Sequence, residues 1–266
     1  VKRMLTQNRE LREDNVWSWT LPAAKIRLTD GTWFNVCPHA DACVNVCYAR
    51  QGTYIFPKVR AAHVRNLEWT LDDLDGWAEA MTVELSHKRF RPTGTPRVGA
   101  FPEGDTPDPL LARWAGAGGA AVRIHDAGDF YSDEYLSAWK QIAAATPDVL
   151  FYAYTKEVTL VRSNSTPTPE NFRVLFSLGG SEDHLIDRDE DRFADVFPDH
   201  ESLDAAGFST QFANDLHAVT MESKKVGIPQ NNIAAFRKRL GGRTFGEVQD
   251  ERNARRGGNP QVEVEG

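Results

Sequence analysis

The stretch "AAVRIHDAGDFYSDEYLSAWKQIAAATPDVLFYAYT" spans residues 120–155 and reads as strand, turn, helix and second strand. Residues 120–125 form the first strand. Ser132 is a good helix N-cap, with Asp133 and Glu134 placed to complement the first turn, and the helix runs to about Ala145. Residues 149–155 are an aromatic, β-prone run. A strand, a helix and a strand in this order predict a parallel sheet.

Working outward, the alternation continues. FRVLFSL (172–178) reads as a further strand, PRVGAF (96–101) as an earlier one, and PLLARWAGAG (109–118) as a short helix ending in glycines. From Pro57 to Phe90 the pattern is helical, with Leu74, Trp77, Met81 and Leu85 forming one buried stripe. Near the start, KIRLT and TWFNV flank Asp30-Gly31, a tight-turn signal for a hairpin. The expected fold is α/β: a partial or complete (β/α) barrel-like parallel sheet with an N-terminal β-hairpin. After Gly180 the periodicity weakens, although NNIAAFRKRL (231–240) reads as a helical piece. No repeat, low-complexity tract or linker divides the chain. Residues 1–248 are expected as a single domain and 249–266 as a flexible tail, ordered only if something holds it.

Composition narrows the function. Hydrophobic residues make up 41% of 266, with seven Trp and fourteen Phe, enough for a substantial core. A net charge of −7 argues against a broad nucleic-acid footprint and leaves room for a local basic patch. No apolar run approaches a membrane span, and VKRMLTQNRE lacks the apolar stretch of a signal peptide. The expected setting is therefore cytoplasmic, with no membrane partner.

The three cysteines, Cys37, Cys43 and Cys47, all fall within "CPHADACVNVCYA" (37–49), spaced C-x5-C-x3-C. Three clustered thiols in such a chain point to metal rather than disulfides. If a helix begins near residue 43, Cys43 and Cys47 share one face. One compact loop suits a cuboidal [4Fe–4S] cluster, where each sulfur holds a different iron, better than a zinc site built from two separated ligand pairs. Three ligands leave one iron open to a small molecule, unless His39, Asp41 or a distant histidine fills it.

Polar residues gather where strands end, as sites in α/β folds do. "RIHDAGDFYS" (123–132) offers Arg123, His125, Asp126 and Asp129 for substrate binding or proton transfer, and Gly128 for a tight turn. "YAYTKE" places Lys156 after a strand, where it could hold a substrate anion. In "FSLGGSED", Gly179, Gly180 and Ser181 could present backbone N–H groups to a carboxylate or phosphate. "FPEGD" offers Glu103 as an acceptor for an amine. In "NDLHAV", His217 reads as a satisfied core histidine beside Asp215. Arg237, Lys238, Arg239 and Arg243 read as a solvated face that could touch a phosphate backbone.

Together, "CPHADACVNVCYA", "RIHDAGDFYS", "YAYTK" and "FSLGG" resemble a family of bacteriophage gene products over roughly residues 33–230. More widely, the chain resembles radical S-adenosylmethionine (SAM) enzymes, which place a three-cysteine loop after the first strand of a partial barrel. That resemblance implies Cys37, Cys43 and Cys47 as cluster ligands, SAM at the open iron, and Glu103 near the SAM amino group. The chain departs from that superfamily's usual C-x3-C-x2-C spacing and has no clear glycine-rich SAM motif. The expectation is thus a [4Fe–4S] protein acting as a radical SAM-like enzyme. The alternatives are a non-catalytic iron–sulfur protein that is structural, redox-sensing or bound to host protein or nucleic acid, and a zinc protein.

Overall fold

The computed structural model describes residues 3–230 and 233–257. Helix α1 (Arg9–Glu13) leads into strand β1 (Val16–Trp19), followed by an antiparallel hairpin of β2 (Lys25–Arg27) and β3 (Trp33–Asn35). Beyond the cysteine loop come α2 (Pro57–Asp72), α3 (Leu74–Leu85) and α4 (Pro109–Ala117). Then follow β4 (Ala120–Ile124), α5 (Asp133–Ala145), β5 (Val149–Thr155), α6 (Val158–Ser163), β6 (Phe172–Ser177) and β7 (Phe193–Phe197). The chain continues through α7 (His200–Ala205), β8 (Ser209–Thr210), α8 (His217–Thr220), β9 (Lys225–Pro229), α9 (Ala234–Leu240) and α10 (Phe245–Gly257).

The main sheet has seven strands in the order β1-β4-β5-β6-β7-β9-β8, and every neighbouring pair is parallel. Its near-sequential order is the winding of a (β/α) unit, with β1 and β8 at the two edges. Strand residues alternate between two cores, as the period of two requires. Val122, Ile124, Phe151 and Ala153 face α2, α3 and α5, against Leu67, Trp77, Met81, Tyr135 and Trp139. Ala121, Leu150, Tyr152 and Leu175 face the other way, against Leu111 and Trp114 of α4 and Ala218 and Val219 of α8. Each fully buried Leu or Phe here contributes about 1.5–3 kcal/mol, so the two cores fix the strand ends firmly. The Ser132 cap is made as expected, its hydroxyl accepting from Tyr135 N.

Residues 96–101 are not a strand. β1 takes the free edge of β4, which leaves this segment no ladder, and Val98 is 98% exposed. The segment instead crosses the N-terminal ends of the strands, where Arg97 donates to the carbonyls of Asp14, Asn15 and Gly119. β1, β7 and β9 carry no clear period: β1 is buried at all four positions, and β7 and β9 are interrupted by Asp195, Gly227 and Pro229. Residues 249–257 of the expected tail are helical within α10, while 258–266 and Asn231–Asn232 lie outside the described residues.

Candidate functional site

β3 delivers the chain into Val36 and Cys37, and the cysteine loop then crosses the C-terminal ends of the sheet strands. The expected α-helix from residue 43 is absent. Instead, 3-10 turns span Ala42–Val46, Tyr48–Arg50 and Gly52–Ile55, with Cys47 extended between the first two. The reason lies in what the loop bonds to. Asp41 N and Cys43 N both donate to the carbonyl of Gly179, at 3.2 and 3.1 Å, which draws the backbone toward the end of β6. Ala40 pairs with Gly180 in an antiparallel bridge, and Ser181 N donates to His39 O at 2.8 Å.

The Gly-Gly-Ser turn is therefore a dock for the cysteine loop. Its N–H groups are taken: Gly179 N and Gly180 N donate to the two oxygens of Asp183, and Ser181 N to His39. This corrects the expectation that Gly179, Gly180 and Ser181 present donors to a cofactor. A Cβ on Gly180 would lie 3.0 Å from both His39 O and Lys156 Cβ, so the approach needs glycine.

Two further anchors hold the loop. His39 N donates to Glu157 Oε1 at 3.0 Å, and the His39 ring bonds Ser181 Oγ while facing Glu157 and Glu182. Asp41 receives Gln249, Arg252 and Arg256 of α10, and Gln249 also accepts from Ala42 N. Both alternative ligands in the loop, His39 and Asp41, are thus committed elsewhere. Gln249, Arg252 and Arg256 lie in the basic stretch expected as a flexible tail, although their spacing of three and four is one helical face.

The three thiols are free and partly buried. Burial pushes the Cys37 thiol well up, with Asp129, Cys43 and Cys47 adding to the push. Burial raises Cys43 to about 11 against the pull of Lys156, and raises Cys47 in the same way. Among the described residues, no three His, Cys, Asp or Glu converge as ligands of one metal ion.

The residues after β4 divide between two environments. Asp126 faces the loop: its carboxylate accepts from Tyr54 Oη and its carbonyl from Tyr48 Oη. Asp129 is buried beneath it, accepting from Thr155 Oγ1 at 2.5 Å and from Lys156 N at 3.0 Å. Lys156 is fixed by three donated bonds, to Ser177 O, Ser177 Oγ and Leu178 O, at 2.8, 2.8 and 2.9 Å. Arg123 pairs with Asp215 at 3.1 Å, lies 5.0 Å over the Tyr154 ring, and leaves its Nε without a partner. Gly128 permits a close crossing, since a Cβ there would meet Leu21 Cβ at 2.6 Å.

His125 goes the other way. It holds a left-handed backbone at φ 65°, is buried against Phe130 and Tyr135, and contacts Tyr135 Oη at 3.0 Å through Nε2. Burial alone lowers its pKa to about 3, so it is neutral and belongs to the core rather than the site. Glu103 is also misplaced by the sequence reading. With no strand before it, FPEGD lies on the loop that meets Glu222 just before β9, at the strands' N-terminal ends. His217 is a core histidine as expected, its Nε2 2.9 Å from Gly99 O. Among the described residues no helix is long and apolar enough to cross a membrane.

A family model described as gene product 88 matches residues 2–257. A gene 88 protein of Mycobacterium phage L5 is 38% identical over 159 residues, covering 58% of this chain and 56% of that relative. The chain thus spans about half the length of the curated relative it matches. No solved structure matches.

Proposed function

The chain belongs to the gene product 88 family, and from that premise we propose that it is a [4Fe–4S] protein whose cluster is held by Cys37, Cys43 and Cys47 with one iron open. The observation that carries this reading is the commitment of His39 and Asp41 to other partners, which leaves three thiols as the loop's donor set. When bound, such a cluster supplies one-electron reduction to a small molecule, SAM in a radical SAM-like enzyme. The chain's own part is positioning. Lys156 holds a fixed positive charge near Cys43 and Cys47, which favours their thiolates. Arg123 and Asp126 stand at the adjoining strand end, suited to orient a polar substrate. A reducing host cytoplasm suits three unpaired cysteines.

A non-catalytic iron–sulfur role is favoured by two other observations. The N–H groups of the Gly-Gly-Ser turn are already taken, and Glu103 is at the wrong end of the sheet to hold an amine. One experiment separates the readings: iron and sulfide analysis of anaerobically prepared protein, then electron paramagnetic resonance of the reduced form with and without SAM. Cluster-level iron and a signal that shifts with SAM support the enzyme. A signal indifferent to SAM supports the non-catalytic role, and absence of iron and sulfide after anaerobic reconstitution refutes both.

A further inference from the structure

The chain is acidic overall, yet two stretches contain no Asp or Glu: residues 42–67 carry Arg50, Lys58, Arg60 and Arg65, and residues 233–246 carry Arg237, Lys238, Arg239 and Arg243. The fold packs the start of the first stretch, the cysteine loop, against the second. Val46 of the cysteine loop joins Phe236 and Leu240 of α9 in one apolar cluster, and Arg239 donates to Asn45 O. Beside Cys47 they enclose an open cavity of about 660 Å³, with Arg50, Arg239 and Arg252 around that apolar floor. Among the described residues, Arg50 and Arg239 have no carboxylate partner and each uses a nitrogen on a backbone carbonyl. Arg252 shares its one carboxylate, Asp41, with Arg256. Uncompensated guanidinium groups around an apolar floor suit an anionic group with a flat body. At the same loop, Tyr48 and Phe56 are 41% and 56% exposed.

We infer that this face binds single-stranded nucleic acid, with phosphates at Arg50 and Arg239 and bases stacked on Tyr48 and Phe56. One feature favours a strand over an acidic protein: single-strand sites combine a cationic track with exposed aromatic faces. The inference does not depend on the cluster.

The test is fluorescence anisotropy of a labelled oligothymidylate of about 20 nucleotides with the full chain, across about 50–200 mM salt. Binding is expected to weaken as salt rises. Arg50→Ala with Arg239→Ala should weaken it roughly tenfold or more and reduce the log–log salt slope by about 1.4, at about 0.7 per phosphate contact. Arg9→Ala, on an exposed arginine paired with Glu13 in α1, should change nothing. Since Arg50 and Arg239 also brace the loop, Phe56→Ser gives a second reading at an exposed residue and should weaken binding roughly fivefold or more. No binding at low salt, equal loss in Arg9→Ala, or displacement of the strand by polyglutamate at equal charge would overturn the inference. Iron and sulfide content of the same sample reports separately on the cluster.

Discussion

Neutral, buried His125 gives the chain an acid-sensitive core. Its pKa is about 3 in the fold, against 6.5 ordinarily, and burial is the cause. Between these values the unfolded chain binds a proton that the folded chain refuses. Stability from this group is therefore complete above pH 6.5, is lost as pH falls, and reaches its full loss below about pH 3. The shift amounts to about 5 kcal/mol in total and to about 2 kcal/mol by pH 5, at 1.36 kcal/mol per unit. Other carboxylates also titrate, so the wild type alone does not isolate the effect. His125→Asn does, because asparagine tolerates the left-handed backbone and has no charge to gain. Urea unfolding of both proteins from pH 7.5 to 5 should show the wild-type advantage shrinking by about 2 kcal/mol, whatever the cavity costs at neutral pH. Parallel profiles would refute the argument: His125 would then protonate as readily in the fold as outside it and could again be a proton-transfer residue.

Asp41→Ala should release α10 from the cysteine loop. With two arginines on one carboxylate, discounted for their exposure, about 2 kcal/mol is expected, along with faster amide exchange over residues 245–257; unchanged exchange would place the anchor elsewhere. Gly180→Ala should lose about 1–3 kcal/mol and retain less iron, because the new Cβ presses on His39 O and Lys156 Cβ; wild-type stability would show that the loop can give way. Cys43→Ala should lose its iron absorbance after anaerobic reconstitution, and full iron content would remove Cys43 as a ligand. Asp126→Ala should keep the wild-type iron content, since Asp126 bonds Tyr54 and not the cysteines; loss of iron would give Asp126 a ligand or structural role.

Some of this molecule was legible from local pattern alone. The capped helix after Ser132 and the strands around it follow from rules that act over a few residues, as does the hairpin at Asp30-Gly31. So do the three cysteines, because their clustering is a fact of the chain. The direction of each polar residue was not legible. Arg123 and His125 are two apart in sequence, yet Arg123 pairs with Asp215 while His125, its backbone turned left-handed, enters the core. The Gly-Gly-Ser turn could be recognised as a strand end, but only the fold decided that its donors meet Asp183 and His39. The tail reads as flexible, and only the fold supplies what holds it as a helix: Asp41, which receives Gln249, Arg252 and Arg256, Ala42 N, which donates to Gln249, and Asp195, which receives Gly246 N. Sequence determines which groups a segment carries and how its backbone tends to run. Partners 211 residues apart, as Arg252 and Asp41 are, meet only when the sheet brings them together, because nothing local favours that contact until burial has fixed both ends.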